Sequence, residues 1–243
     1  MNVREKLLER ENECFGFLNA IPEEAKYVLI GGYAVSSYGF PRFSVDLDIV
    51  IPQGELKTFE RLVSERGYTL AAERKGLDEV YSGEFRSYAK KSALPVSVDL
   101  LINSVKSRQT GSSYSFQHLI DNSEVRVLGG WHPTSKASVK VADREMLIAL
   151  KINSMRLTDK RDVIMLCYTK PDVTRIISHL ERCPKDIVKR HLVDLSSMID
   201  DPRYIDSVKG EFSITDKVFE AATRSAKKTV NELLAGIEAK TGS

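Results

Sequence analysis

Apolar residues in the first part of the chain occur in short alternating or continuous runs, a pattern that predicts β-strands. Other segments of this part space their apolar residues as helices do. The predicted strands cover residues 26–31, 45–51, 78–90 and 95–102 and the segments EVRVLGG and SVKVA. The predicted helices cover residues 3–20 and 32–38 and the segment GELKTFERLVSERG, and residues 103–115 are predicted to form a loop.

From the segment ADREMLIALKINSMR onward, the spacing of apolar residues is helical, and Asp143 is expected to cap the first of these helices. Further helices are predicted at residues 160–169, 172–181, 185–199 and 214–239. Strands followed by helices are typical of an α+β arrangement. We therefore expect an α+β domain over residues 1–140, followed by a helical domain over residues 141–243.

Composition places the chain among ordinary soluble globular proteins. Of its 243 residues, 42% are hydrophobic and 29% are charged, and the formal net charge is +2. This charge shows no basic excess that demands a nucleic-acid partner. No apolar run approaches the roughly 18–20 residues that cross a bilayer, and the charged N-terminal segment does not resemble a secretory signal. The expectation is a cytoplasmic protein without a membrane partner.

The run VDLDIVI holds two aspartates, Asp46 and Asp48, on one predicted strand. Residues i and i+2 of a strand point to the same face, about 6.6–6.8 Å apart, so both carboxylates project together. Like charges on a half-buried strand repel each other, and a cation removes that cost. Hard oxygen ligands with open positions suit Mg²⁺. The alternative is an exposed edge strand, but the flanking Leu47 and Ile49 favour a buried one.

Two glycines, Gly31 and Gly32, stand between the first predicted strand and the helix that follows it. Glycines at such a junction let the backbone approach a ligand closely, and the N–H groups of a helix start attract an anion. The alternative is a simple turn. Because the pair comes some fifteen residues before the Asp-x-Asp strand, the sequence favours a site for phosphate groups beside a cation.

The motif Gly-Gly-x-Ala, followed by Arg-x-Ser-x-Asp-Leu-Asp-Ile, resembles the nucleotidyltransferase superfamily of DNA polymerase β-like folds. Within that superfamily the chain is most similar to the AbiEii-type and related minimal nucleotidyltransferases of bacteria and archaea, several of which act as toxins. The resemblance covers residues 26–168 and implies a mixed sheet followed by a helical C-terminal domain. It also implies that residues 1–140 form the catalytic domain and that residues 141–243 contribute to the active-site cleft. One departure is Gly31-Gly32, where many members of the superfamily have Gly-Ser.

The resemblance implies a third carboxylate on a neighbouring strand and a later helix with a lysine and an aspartate. Asp99 in PVSVDLLI matches the former, and Lys151 and Asp162 in LIALKINSMRLTDKRDVIMLCY match the latter. A lysine on an apolar helix face needs either a carboxylate or an anionic ligand. Asp162 is therefore either a site residue or the partner of Lys151.

The resemblance also implies a role for each matched residue. Arg42 either binds phosphate or pairs with a carboxylate, and Mg²⁺ is the expected cofactor, with Mn²⁺ as the alternative. The expected catalytic residues are Asp46, Asp48, Asp99, Lys151 and Asp162, the expected metal ligands are Asp46, Asp48 and Asp99, and the expected nucleotide-binding residues are Gly31, Gly32, Arg42, Ser44 and Lys151.

Two functions from different classes fit these residues. The first is an enzyme that transfers a nucleoside monophosphate from a nucleoside triphosphate to an acceptor hydroxyl on a tRNA or a protein and releases pyrophosphate. Such an enzyme could act as the toxin of a pair with a cognate antitoxin. The second is a catalytically inactive regulator that binds a nucleotide or a partner on the same fold. Intact Asp46, Asp48 and Asp99 favour the enzyme.

Overall fold

The computed structural model describes residues 2–199 and 201–239, and the chain divides into two compact units. The first unit extends to Lys106 and resumes over Ser113–Ala142. The second contains Ser107–Ser112 and the chain from Asp143 onward. The first unit holds all the described strands and the second is helical, which confirms the predicted α+β class with a helical C-terminal part.

The first unit is built around a seven-stranded sheet in the order β3-β4-β5-β2-β1-β9-β8. The sheet is mixed, because β1 pairs with β9 and β2 with β5 in parallel, whereas the other neighbours are antiparallel. Its elements are α1 (Val3–Asn19), β1 (Val28–Ile30), α2 (Gly31–Ser36), β2 (Asp46–Ile51), α3 (Leu56–Glu65), β3 (Thr69–Asp78), β4 (Gly83–Lys90), β5 (Val96–Ile102), β6 (Ser104–Lys106), β7 (Ser113–Ser115), α4 (Phe116–Asp121), β8 (Ser123–Gly129) and β9 (Lys136–Ala142).

Two predicted segments of the first unit need correction. The single strand predicted at 78–90 is the end of a hairpin, since β3 ends at Asp78 and β4 begins at Gly83. β3 is exposed along nearly its whole length, so it lacks the apolar alternation that predicts a strand. The loop predicted at 103–115 contains β6 and β7, which pair with each other, and the helix α4 after it was not predicted.

The two central strands β2 and β5 alternate between a core face and a polar face. Leu47 and Ile49 of β2 and Val98 and Leu100 of β5 are fully buried. The residues between them are only partly buried. This period of two is the expected result of strand geometry, and it turns every aspartate of these strands toward the same side of the sheet.

The second unit consists of helices packed around α5, whose residues are almost all buried. The side chain of Asp143 accepts a hydrogen bond from the N–H of Met146, as the predicted cap requires. One further helix, α9, was not predicted. Over the described residues, no helix is both long and apolar enough to cross a membrane. The helices are α5 (Arg144–Ser154), α6 (Leu157–Leu166), α7 (Val173–Leu180), α8 (Lys185–Ile199), α9 (Pro202–Phe212) and α10 (Asp216–Ala239).

Candidate metal and nucleotide site

Three carboxylates meet on the partly buried face of the sheet. The parallel register of β2 and β5 places Asp48 directly beside Asp99, and Asp46 lies one pleat away on the same face. One carboxylate oxygen from each residue lies within 4.8 Å of the other two. Because these oxygens are hard donors of like charge, the cluster has the chemistry of a divalent-cation site.

Hydroxyl groups support two of the three carboxylates. Ser87 of β4 lies opposite Asp99, and its Oγ donates a hydrogen bond of 2.6 Å to Asp99 Oδ1. Ser44 Oγ donates to Asp46 Oδ1 at 3.3 Å. Burial and the negative charge of Asp46 raise the pKa of Asp99, and the hydrogen bond from Ser87 only partly opposes that shift. The cluster is therefore a place where added positive charge is favourable.

The glycine Gly31 leaves room for one of these carboxylates. Its φ of 72° lies in the left-handed region, and a Cβ on Gly31 would lie 1.9 Å from Asp48 Oδ2. No side chain fits at that separation, so the end of β1 can approach Asp48 only as glycine. The requirement at this position is thus steric as well as conformational.

Gly32 makes room in the same way for the segment that precedes β2. A Cβ on Gly32 would lie 2.6 Å from Ser44 Oγ and 2.8 Å from Arg42 Nη2. The backbone N–H of Arg42 donates to Ser36 Oγ at 3.3 Å, which ties this segment to α2. The guanidinium of Arg42 and the hydroxyl of Ser44 consequently lie together beside the glycine pair, close to the carboxylate of Asp46.

The second unit holds a different charged cluster, in which Lys151 of α5 contacts two aspartates of α6. Lys151 Nζ lies 2.8 Å from Asp162 Oδ2 and 3.0 Å from Asp159 Oδ1. The side chains of all three residues are at most 6% exposed. Asp159 also accepts hydrogen bonds from Ser154 Oγ at 2.7 Å and from the backbone N–H of Arg156 at 2.8 Å.

Opposite charges within this cluster offset the cost of burial. Burial disfavours the charged lysine, but the carboxylates of Asp162 and Asp159 outweigh it and raise the pKa of Lys151. Burial likewise opposes ionisation of Asp159, yet Lys151 and Arg156 lower its pKa to about 2. Lys151 and Asp159 are therefore charged at neutral pH.

The structure brings the predicted site residues together in two groups. The first unit gathers the predicted metal ligands and phosphate-binding residues around the glycine pair, and the second unit pairs Lys151 with Asp162. Sequence reasoning missed Ser87, because the register of β4 against β5 is not readable from the sequence. It also missed Asp159, although its position eight residues after Lys151, directly before the helix predicted at 160–169, could have suggested a partner.

Comparison with known proteins finds a sequence family and solved structures that resemble the chain. The sequence model described as "Nucleotidyl transferase AbiEii toxin, Type IV TA system" matches residues 15–239. A "putative nucleotidyltransferase from H. pylori" has 20% sequence identity to the chain and a TM-score of 0.50, over 98% of both chains, and shares its fold. JHP933 from Helicobacter pylori has 17% identity and a TM-score of 0.43, over 98% of this chain and 96% of its own. No curated protein sequence matches.

Proposed function

The chain belongs to the AbiEii family of nucleotidyltransferase toxins, and from this premise we propose which residues carry the reaction. The acceptor hydroxyl oxygen attacks the α-phosphorus of a nucleoside triphosphate. A new phosphorus–oxygen bond forms, the bond to the β-phosphate breaks, and pyrophosphate leaves. The hydroxyl proton passes to a carboxylate or to solvent. The carboxylate cluster of Asp46, Asp48 and Asp99 is the centre of this transfer.

One observation carries the proposal, the register that sets Asp48 beside Asp99 on adjacent parallel strands. Three carboxylate oxygens within 4.8 Å of one another fit a small divalent cation, and Gly31 leaves room for the Asp48 carboxylate among them. This donor set matches the preference of Mg²⁺, with Mn²⁺ as the alternative. When bound, such ions neutralise the triphosphate and lower the pKa of the acceptor hydroxyl.

The three aspartates divide the work by position. Asp46 and Asp48 share one strand. They lie at the end of the site near Ser44 and the glycines, where the triphosphate binds. Asp99 lies on the neighbouring strand and serves the acceptor side. Ser87 fixes the orientation of the Asp99 carboxylate through its 2.6 Å hydrogen bond. A carboxylate held in one orientation loses less freedom when substrate arrives.

Phosphate recognition falls to the groups beside Gly32. The guanidinium of Arg42 offers several donors in a planar fork that suits phosphate oxygens. The hydroxyl of Ser44 can donate to a second phosphate oxygen, and the absence of a side chain at Gly32 leaves room for both Ser44 and Arg42. Arg42 and Ser44 thereby orient the triphosphate so that its α-phosphate lies at the carboxylates.

We propose a different role for Lys151 and Asp162. The positive charge of Lys151 already meets two carboxylates at 2.8 and 3.0 Å. Their first role is therefore to stabilise the α5–α6 pair of helices. A direct part of Lys151 in neutralising the triphosphate stays a prediction, which the stability and the transfer rate of one variant decide together.

The family description also bears on partners. A type IV toxin–antitoxin system implies a cognate antitoxin and nucleotide substrates. We propose that the acceptor is a hydroxyl of a tRNA or of a protein, and that the antitoxin counters the damage that this transfer causes. The chemistry at the carboxylates is the same for both acceptors.

A labelling experiment tests the proposal. The purified protein is incubated with Mg²⁺ and each of the four α-³²P-labelled nucleoside triphosphates, with total tRNA in one arm and a cell protein extract in the other. We expect label in one acceptor class with at least one triphosphate, and loss of that label when EDTA replaces Mg²⁺. If neither tRNA nor protein acquires acid-stable label with any of the four triphosphates, transfer is refuted.

A matched pair of variants keeps the result specific. Asp48→Asn removes one carboxylate of the cluster, whereas Glu23→Gln removes one exposed carboxylate elsewhere in the same unit. Only the first is expected to abolish labelling. Triphosphate binding without labelling by the wild-type protein would instead support the inactive regulator.

A further inference from the structure

An aromatic pair lies next to the residues assigned to the phosphates. The rings of Phe43 and Trp131 stack with their centroids 5.4 Å apart and an interplanar angle of 5°. Trp131 is 39% exposed, although it is a large apolar side chain. Phe43 is half-buried and covers one face of the indole. The pair is a flat, partly solvent-accessible aromatic surface.

A buried carboxylate holds the loop that carries Trp131. Glu11 of α1 is only 2% exposed, and its two oxygens accept hydrogen bonds from the backbone N–H groups of Trp131 at 2.9 Å and His132 at 3.3 Å. The hydroxyl of Ser135 donates to Asn12 Oδ1 at 3.2 Å. Burying a carboxylate is costly without such bonds. The β8–β9 loop is therefore anchored to α1, and the indole is held in place.

The position of Phe43 connects this surface to the candidate site. Phe43 lies between Arg42 and Ser44 in the chain, so its Cα is about 3.8 Å from that of each neighbour. Arg42 and Ser44 meet beside Gly32, and Ser44 contacts Asp46. An aromatic surface one residue from phosphate-binding groups matches the spacing within a nucleotide, in which a flat base is joined through a sugar to phosphate.

We propose that Phe43 and Trp131 form a stacking platform for an unpaired nucleobase. The base belongs either to the bound triphosphate or to the end of a single-stranded nucleic-acid acceptor. Every base has a π-face, so the platform contributes affinity without selecting strongly among bases. The inference rests on the proposed function insofar as the ligand is a nucleotide, but base binding does not require transfer.

The protein contains a single tryptophan, which makes Trp131 its own reporter. Indole emission is recorded during titration with each nucleoside triphosphate plus Mg²⁺ in one arm, and with a short oligoribonucleotide that has an unpaired 3′ end in the other. A base stacked on the indole quenches its emission. We expect saturable quenching in one arm, and the arm identifies the source of the base. Because no transfer is needed, this result stands or falls separately from the labelling experiment.

Variants separate stacking from general binding. Trp131→Ala is expected to weaken binding of the quenching ligand roughly 5- to 150-fold, the range for one lost base–aromatic stack. Phe43→Leu keeps the reporter and should reduce both the quenching and the affinity. Tyr81→Ala removes another exposed aromatic, in the β3–β4 turn of the same unit, and should change neither. The inference would be overturned if a ligand bound the wild-type protein without changing the indole emission and bound Trp131→Ala with unchanged affinity. Absence of binding in both arms would also overturn it.

Discussion

Each unit contains a cluster of aspartates. The cluster of the first unit is partly buried and that of the second unit is fully buried. The two clusters differ in what balances the negative charge of their carboxylates. In the second unit, Lys151 lies within 3.0 Å of both carboxylates, and the pKa of Asp159 falls to about 2. In the first unit, Asp99 receives a neutral hydroxyl donor, and burial together with Asp46 raises its pKa. Lys151 thus balances the charge of the second cluster, whereas the raised pKa of Asp99 indicates that added positive charge is favourable at the first.

From this difference we infer a structural function for the cluster of the second unit and a chemical one for the cluster of the first. A buried ion pair is self-contained, and removal of one partner leaves an uncompensated charge. A cluster of carboxylates on one sheet face carries a standing repulsion that ligand binding relieves, so removal of one member should not harm the fold. The first four predictions below test the contrast in order of decreasing effect, and a fifth separates binding from chemistry.

The largest effect is expected for Asp48→Asn. Because this carboxylate lies beside Asp99 at the centre of the cluster, its loss should reduce transfer on the order of 10³-fold or more, at or beyond the upper end for one electrostatic group. The melting temperature should stay unchanged or rise, since a repulsion is removed. Transfer rate and thermal unfolding measure the two outcomes. A cooperative loss of folding would instead assign Asp48 a structural role.

Lys151→Met should do the opposite. Methionine fills much of the lysine stem, but Asp159 and Asp162 remain buried without their shared cation, which should cost about 3–5 kcal/mol of unfolding free energy. Chemical denaturation measures this loss. Lys228→Met is the control, since its contact with Glu232 is long at 4.0 Å and Lys228 is 67% exposed. A stable Lys151→Met protein with transfer reduced 10²–10³-fold would show that Lys151 acts on the triphosphate.

Gly31→Ala should impair the site more than the fold. The left-handed backbone costs an alanine about 1–2 kcal/mol, and the new Cβ would displace the Asp48 carboxylate. Gly67→Ala is a close match, because Gly67 has a φ of 77° and nothing within 4 Å of an added Cβ. Both variants should lose similar stability, but only Gly31→Ala should lose transfer, by roughly 10²-fold. Equal transfer rates in the two variants would remove Gly31 from the site.

The smallest effect concerns the pH dependence of stability. A carboxyl group whose folded pKa is raised favours the folded state fully below its unfolded pKa, and this contribution is lost as the pH rises through the folded value. Asp99→Asn should therefore melt slightly higher than the wild-type protein at pH 7 and equally at pH 3. Asp159 behaves inversely, because its contribution is lost as the pH falls from 3.8 to about 2. A Tm difference for Asp99→Asn that grows on acidification would contradict the raised pKa.

Asp99→Asn also separates binding from chemistry. If Asp99 serves the acceptor side, the variant should still bind triphosphate in the presence of Mg²⁺ and should fail to transfer it. Equilibrium binding of a labelled triphosphate and the transfer rate give the two measurements. A loss of triphosphate binding as severe as that of Asp46→Ala would contradict this division between the strands.

The sequence and the resemblance predicted the three aspartates that the structure brings together, but not the residues around them. Asp46 and Asp48 could be predicted to project together because side chains alternate between the two faces of a strand. The resemblance supplied Asp99 as the third carboxylate. The parallel pairing of β2 with β5 could not be predicted, since the whole β3–β4 hairpin intervenes and its outer strand is exposed on both faces. The serine that orients Asp99 depends on that pairing.

The second unit shows a similar limit. Helical periodicity and the cap at Asp143 were sufficient to predict α5, and the sequence left Lys151 with a carboxylate or a ligand as its partner. The structure supplies two carboxylates, one of them unforeseen, because the bend after Met155 returns α6 against α5. The helix α9 was missed despite Asp201 as its cap and a proline at its start, a combination that does favour a helix.

Cation binding by the carboxylate cluster is the central requirement of the proposed reaction, and Mn²⁺ electron paramagnetic resonance measures this binding directly. Mn²⁺ is titrated into the wild-type protein, Asp48→Asn and Lys151→Met, each with a non-hydrolysable triphosphate. We expect the wild-type protein to remove the signal of free Mn²⁺ beyond what the triphosphate alone removes. Folded Lys151→Met should do the same, and Asp48→Asn should not. Equal binding of Mn²⁺ by the wild-type protein and Asp48→Asn would contradict the proposal.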